Sequence, residues 1–467
     1  MKSFSFNVLS LGGSDIGSRL ISFLAVTYLA RTLGPENIGI LAIGMAILTY
    51  ASIISSMGLP LLGVRSVAAK TGSIQDLVKR ICSARFLLSI ISFIVITVIL
   101  MLFVKEQNVR NVAIIFLITL FPSALMLGWL FQGLGDMKTL AIGQLLGMFA
   151  YLLFIVGIVL NSEDIYWVPC AWCFGLLIQT IYFWINYKKL CILENSENKP
   201  LHLINIIKQG IPLGIATFIS QTVIQFPFIY LGFFETSENT GLYSVAFRIV
   251  VLMLAIDRIF YTIFFPVISR SFKDSLEHLN AQVIWTLKIV ITSSLYIALL
   301  ALIAGKDLLP IFFGSEFRNA SLIFQALLGY FALTVINSVF TFTLIGIEKE
   351  HLYTKALFIG AIAFVVIILI PIPLSATLIA PIALAVHQAI SMLIMIKYLR
   401  KFLYINLLFR TLLPLLTAIV FALFVDFWQH LYPVIVSATV VLLALPAIAI
   451  ATGINRNDIN KLKVLLK

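Results

Sequence analysis

The sequence has little charge. Only 11% of its 467 residues are Asp, Glu, Lys or Arg, whereas 61% are hydrophobic. A soluble chain typically carries roughly a quarter charged residues, so this chain lacks the polar surface needed to face water on all sides. It also lacks a phosphate-binding loop and the residue spacing of a catalytic triad, which argues against direct use of ATP and against an enzyme.

Cysteine is scarce as well. The chain has four cysteines, and Cys170 and Cys173 form a CxxC inside the apolar run WVPCAWCF, without a second pair or a histidine cluster nearby. Cysteines in such surroundings are typical of small buried side chains. The sequence therefore predicts no metal site, no cofactor and no catalytic residue.

Long apolar runs dominate the chain. They reach 20 residues or more, too long for strands, so helices are the only spanning structure that satisfies the backbone in lipid. The fold class predicted is an all-α integral membrane protein with about 14 transmembrane helices. The predicted segments are 8–29, 38–58, 83–104, 112–133, 140–160, 165–186, 209–233, 241–268, 284–305, 320–346, 354–372, 376–398, 408–427 and 433–453.

The basic residues lie singly and in pairs at the ends of these runs, as membrane anchors do, so the net charge of +12 does not indicate nucleic acid. If the amino terminus is inside, the inner loops and termini hold 24 of the 32 lysines and arginines, and the outer loops hold 5. Arg85 counts among the inner cations. The bias predicts that both termini are cytoplasmic.

An internal repeat divides the chain. Residues 36–41 read ENIGIL, and residues 238–243, which follow 202 residues later, read ENTGLY. GLGDMK at 133–138 and GIEK at 346–349 form a second echo. The even number of spans between equivalent elements predicts two six-helix lobes in the same orientation. We expect an N-lobe at 1–190, a cytoplasmic linker at 191–208, a C-lobe at 209–400, and two further helices with a tail at 401–467.

Ionisable residues inside predicted helices are candidate functional groups, because a charge at the centre of a span must face protein or water. Asp15 and Arg19 are four residues apart in segment 1 and share one helix face. Arg248, Asp257 and Arg258 lie in segment 8. These groups either bind a ligand or only orient helices, and the residues alone leave that open.

The run ARTLGPENIGILAIGMAILTYASIISSMGLPLLGVRSVAA (30–69) and the run GWLFQGLGDMKTLAIGQ (128–144) carry a resemblance to a known family. They resemble the polysaccharide transporters, in particular the O-antigen flippases (Wzx), of the multidrug/oligosaccharidyl-lipid/polysaccharide (MOP) exporter superfamily. The resemblance implies two lobes in a V around a central cavity, alternating access, and a cargo of polyprenyl-diphosphate-linked oligosaccharide.

In related lipid-flipping families, cavity arginines on helices 1, 2 and 8 bind the anionic head of the cargo. Arg19 and Arg248 match two of those helices, and a guanidinium group binds phosphate oxygens in a bidentate manner. Segment 2 has no cation, although Arg65 lies just past its end. Gln221, Gln225 and Asn337 are candidate hydrogen-bonding groups for sugars. His387 is a candidate for proton coupling.

Three functions remain to be weighed. The first is a flippase for an undecaprenyl-diphosphate-linked glycan in the bacterial inner membrane, driven by cargo and an ion gradient, with the polysaccharide polymerase and chain-length proteins as possible partners. The second is a cation-coupled drug exporter, which predicts acidic rather than basic cavity residues. The third is a polymerase or ligase of surface glycans, which predicts a large outer loop. The sequence favours the flippase.

Overall fold

The computed structural model describes residues 2–70, 73–191, 203–371, 373–403, 407–428, 436–437, 439–455, 457–458 and 460–461. Within these ranges the regular elements are helical and no strand is present. The α-helices are α1 (Lys2–Ser56), α2 (Leu59–Ala68), α3 (Ile74–Phe103), α4 (Gln107–Ile118), α5 (Leu120–Ala124), α6 (Gly128–Leu134), α7 (Met137–Ile158), α8 (Trp167–Cys191), α9 (Leu203–Phe234), α10 (Ser237–Met253), α11 (Ala255–Asp274), α12 (Leu276–Phe313), α13 (Ala320–Gly346), α14 (Glu350–Leu369), α15 (Ala376–Leu399), α16 (Leu407–Trp428) and α17 (Leu445–Thr452).

The predicted fold class is confirmed. Among the described residues, 11 helical stretches are long and apolar enough to cross a membrane, and three shorter apolar helices accompany them. The stretch at Leu20–Ser56 contains most of the first two predicted segments. The helices at Thr411–Val425 and Leu442–Thr452 correspond to the last two. About fourteen helices therefore fit the chain.

The first two segments join in one continuous element with an internal break. α1 has 55 residues, more than twice the roughly 20 residues that one crossing requires. Gly34, at φ 76° and ψ 173°, leaves the helical region, and Pro35 follows it. Glycine adopts this positive φ without steric cost, and proline is well tolerated in the first turn of the new helix. The local sequence Gly-Pro therefore separates the two crossings.

The chain packs as two compact units, Met1–Ser244 and Val245–Lys467. This division follows the packing of the helices and does not test the lobe boundaries expected from the repeat. The lobes at 1–190 and 209–400, and the separate group at 401–467, stay predictions. Most of the predicted linker, residues 192–202, lies outside the described residues.

In the first unit, the fourth predicted segment is a broken helix formed by α4, α5 and α6. The breaks near Thr119 and at Leu125–Leu127 interrupt the regular backbone hydrogen bonding of a helix, which lipid could not compensate. Side chains of α3 and α8 donate hydrogen bonds to carbonyls of this stretch: Arg85 to those of Ser123 and Met126 at 2.5 and 3.2 Å, Ser89 to that of Leu120 at 3.3 Å, Thr180 to that of Pro122 at 3.3 Å and Trp184 to that of Leu125 at 2.9 Å. These bonds fix the broken helix to its neighbours.

Arg85 is the group that the sequence reasoning misplaced. α3 begins at Ile74, so Arg85 lies inside the helix and is only 8% exposed. The assignment failed because Arg85 lies two residues inside the predicted segment 83–104, where the helix is already in the protein interior, whereas Lys79, nearer the start of α3, is exposed. The guanidinium group of Arg85 donates hydrogen bonds to carbonyls of the broken helix and does not anchor the chain at the membrane surface.

In the second unit, the carboxy-terminal residues pack on α12. The Lys288 ammonium lies 3.1 Å from the Asp458 carboxylate, and both side chains are largely buried. The Trp285 indole donates to the Asp458 carbonyl at 3.0 Å, and the hydroxyls of Thr292 and Thr452 lie 2.9 Å apart. The last predicted segment is therefore held to the rest of the unit by specific polar contacts.

Candidate functional site

In the first unit, the predicted site residues lie on three helices. Asp15 and Arg19 belong to α1, but their side chains lie outside the described part of the chain. Arg65 is exposed in the last turn of α2. Gln221 and Gln225 are half-buried and one turn apart on α9, so they share one face of that helix.

In the second unit, predicted segment 8 is bent. α10 ends at Met253 and α11 begins at Ala255, so Arg248 and Asp257 lie on opposite sides of a break. Arg248 is half-buried, whereas Arg258 is exposed. The two arginines of this segment therefore sit in different surroundings.

Asp257 is half-buried, and its Oδ1 atom is a buried acceptor without a hydrogen-bond donor. The Ser338 hydroxyl, on α13, lies within hydrogen-bonding reach of the carboxylate. Its proton, however, is donated to the Val335 carbonyl at 2.7 Å. An ionised carboxylate in the membrane costs several kcal/mol unless charge or hydrogen bonds compensate it. This group therefore has unused capacity to accept a proton or a cation.

Asn337 belongs to the same cluster. It is only 4% exposed and donates from Nδ2 to the Gln388 Oε1 atom on α15 at 2.7 Å, while its own Oδ1 lacks a donor. The Tyr330 phenol lies within hydrogen-bonding reach of Gln388 and close enough to Asp257 to interact with its charge. Tyr353, on α14, lies in the neighbourhood of Asp257, near enough for its phenol to be influenced by the carboxylate charge.

We call these residues the Asp257 cluster: Asp257, Tyr330, Asn337, Ser338, Tyr353 and Gln388. It joins four helices and combines one carboxylate with hydroxyl and amide groups. Two of its buried oxygens, one carboxylate and one amide, have no donor. Oxygen acceptors of this kind suit a proton or an alkali cation and give no support for thiolate or imidazole metal chemistry. Among the described residues, no three His, Cys, Asp or Glu side chains gather as a metal site.

The contacts of the second unit thus bring two of the predicted residues, Asp257 and Asn337, into one cluster. They add Tyr330, Ser338 and Tyr353, which the sequence reasoning missed. A signal was available on α13, where Tyr330, Thr334, Asn337 and Thr341 recur at intervals of three or four residues in an apolar segment. His387 is buried and packs against Gly360. In the sequence it precedes Gln388, a member of this cluster. Its role in proton coupling stays a prediction.

The fold matches that of membrane transporters of the MOP superfamily. The lipid II flippase MurJ, in an inward closed conformation, aligns with a TM-score of 0.70 and 13% identity over 96% of this chain and 99% of that chain. A multidrug resistance MATE family transporter, in an inward-facing conformation, aligns with a TM-score of 0.62 and 14% identity over 82% of this chain and 94% of that chain. Identities this low establish the fold alone.

Residues 5–272 match the family described as polysaccharide biosynthesis protein. Because this match covers more than half of the chain, the protein belongs to that family. A putative O-antigen transporter of Escherichia coli (strain K12) is 35% identical over 149 residues, which span 31% of this chain and 35% of that relative. The matched part is thus about a third of the relative's length. The family confirms the resemblance found in the sequence.

Proposed function

We propose that this protein is a flippase that moves a polyprenyl-diphosphate-linked oligosaccharide from the cytoplasmic to the outer leaflet of the bacterial inner membrane. The observation that carries the proposal is its membership of the polysaccharide biosynthesis family over residues 5–272. The fold shared with a lipid II flippase supports it. The cargo class is undecaprenyl-diphosphate-linked glycan, and both termini are cytoplasmic.

Arginine chemistry supplies the contact to the head group. Arg19 and Arg248 would bind the diphosphate through planar guanidinium groups, which remain charged at physiological pH and match phosphate oxygens. Arg65 would meet the arriving diphosphate at the cytoplasmic face, and Gln221 and Gln225 would bind sugar hydroxyls. Asp15 and Arg258 would balance charge near the arginines.

The driving force would be an ion gradient coupled through the Asp257 cluster. The chain has no nucleotide-binding loop, so the energy must come from another source. The unpartnered oxygens of Asp257 and Asn337 support this assignment, since a proton or an alkali cation would satisfy the carboxylate oxygen and an alkali cation would satisfy the amide oxygen. Neutralising the carboxylate lowers its cost in the membrane and would favour one conformation over another.

The test is deletion of the gene followed by complementation. We expect the deletion to abolish the surface polysaccharide and to accumulate single lipid-linked repeat units on the cytoplasmic side. Arg19→Ala and Arg248→Ala should fail to restore the polymer, whereas Arg270→Ala, which removes an exposed arginine of α11, should restore it. Persistence of the polymer together with increased sensitivity to cationic drugs would replace the flippase with a drug exporter.

A further inference from the structure

The repeated sequence motif makes a contact with itself. Gly39 ends the first ENxG motif and Gly241 ends the second, and the two segments touch within the first unit. A methyl group on Gly39 would overlap the carbonyl oxygen of Ser237, and one on Gly241 would overlap the carbonyl oxygen of Pro35. Only glycine fits at either position.

The contact is reciprocal. Each glycine meets the carbonyl of the residue four positions before the other, and the same offset of 202 residues relates Pro35 to Ser237 and Gly39 to Gly241. The two helix starts are thus related by the symmetry of the repeat. Their close approach is of the Cα–H···O type that recurs where helices cross on small residues. We call this the outer glycine contact, since the predicted orientation places it at the outer face.

Two hydrogen-bonded ties hold the helix starts in position. The Ser237 hydroxyl lies 3.1 and 3.2 Å from the two carboxylate oxygens of Glu106, at the start of α4. The Asn37 amide donates to the Ser162 carbonyl at 2.9 Å. Each partner belongs to a connection on the same predicted face as the glycines. The contact itself is backbone against backbone.

The same two stretches of chain touch again at the opposite end of the second crossing. A methyl group on Gly58 would lie 2.6 Å from the Gly210 carbonyl oxygen and 2.7 Å from the Gly214 nitrogen. The Tyr50 and Phe218 rings lie between the two contacts, with centroids 5.6 Å apart. The 19 residues from Gly39 to Gly58 span about 28 Å as a helix, close to the thickness of the hydrocarbon core. We call this second approach the inner glycine contact.

We propose that the outer glycine contact is the outer gate of the transport cycle, which opens by separating Gly39 from Gly241, and that the inner glycine contact is its counterpart at the cytoplasmic face. This inference rests on the proposed flippase function and on the alternating access that the family resemblance implies. Each outer glycine lies just after a helix break, at Gly34 in one segment and between α9 and α10 in the other. A backbone contact next to a break separates by rotation of the helix start, without extraction of interlocked side chains.

Gly39→Ala and Gly241→Ala test the gate, with Gly157→Ala and Gly329→Ala as controls, because a methyl group at either control position meets nothing within 4 Å. The reporter is Thr240→Cys, in a chain whose four native cysteines are replaced, since Thr240 is fully buried beside the contact. A membrane-impermeant maleimide is added from outside to cells that make no lipid-linked glycan. We expect several-fold faster labelling in the two alanine variants and no change in the controls.

Equal labelling in all variants would overturn the gate, whatever the cargo. The gate would also be overturned if an alanine variant whose reporter cysteine reacts faster fully restored the polymer, provided that the gene deletion abolishes the polymer. A deletion without effect on the polymer would instead contradict the flippase and leave the labelling result standing. If an alanine variant fails to accumulate, Ser237→Ala serves, since it removes the bond to Glu106 without added bulk and should speed labelling less.

Discussion

Polar groups interrupt the membrane region in both units, but the two interruptions differ in how their acceptors are satisfied. In the first unit, carbonyls of the broken helix α4–α6 accept hydrogen bonds from side chains of α3 and α8. In the second unit, buried oxygens of Asp257 and Asn337 have no donor. Satisfied polarity fixes a structure, whereas unsatisfied polarity leaves room for a mobile ion. The comparison separates a structural arginine from an acid for which we propose a role in transport.

The comparison predicts that substitution of Arg85 has the largest effect on the stability of the protein. Arg85→Ala removes the donor to two carbonyls in the membrane interior, which should destabilise the protein by about 3 kcal/mol or more. Lys79→Ala, which removes an exposed cation from the same helix, should change little. Thermal unfolding of the purified protein in detergent measures the difference. Equal melting temperatures would mean that the broken helix does not depend on Arg85.

Asp257→Asn should act on transport and spare stability. The substitution keeps the shape of the side chain and removes the charge that we propose binds the coupling ion, so we expect a fall in polymer export of about tenfold or more and a melting temperature that does not decrease. Asp274→Asn, at the exposed end of the same helix, is the matched control. Imposing a proton or a sodium gradient would identify the coupling ion. The gradient of that ion should drive transport by the parent protein and have no effect on transport by Asp257→Asn. Normal export by this variant would remove Asp257 from the mechanism.

Asn337→Ala should have an intermediate effect, since it removes the 2.7 Å hydrogen bond to Gln388 and one of the two open oxygens. We expect export to fall by about threefold to tenfold and the free energy of unfolding by about 1 kcal/mol. The double variant Asn337→Ala/Gln388→Ala should cost less than the sum of the single variants, because the two side chains contact each other. Strict additivity would show that the cluster is not a unit.

The smallest effect is expected where α12 holds the carboxy-terminal residues. Lys288→Met should loosen Asp458 and lower stability by about 1 kcal/mol, since Asp458 keeps its bond from the Asn455 backbone. Export should persist. Limited proteolysis of the tail tests this change, with the exposed Lys397→Met as control. A large loss of export would give these residues a role in transport that the comparison does not assign.

The sequence predicted the helices well because bilayer thickness imposes a length on each apolar run. It separated the first two crossings between residues 29 and 38, where the structure has the break at Gly34–Pro35, and it identified the ENxG repeat. It could not predict the broken helix α4–α6, since apolar residues continue across the breaks and the compensating donors come from other helices. For the same reason it identified Asp257 but missed Tyr353, which joins it only through tertiary packing. Whether Arg19 and Arg248 bind the cargo stays a prediction.

The most direct test of the flippase is reconstitution. Purified protein is placed in liposomes that contain lipid-linked glycan extracted from the deletion strain, and a membrane-impermeant periodate reagent oxidises only sugars in the outer leaflet. We predict that the accessible share of the glycan rises from the outer-leaflet fraction to nearly all of it, and that Arg248→Ala prevents the rise. An accessible share that equals that of protein-free liposomes would contradict the account.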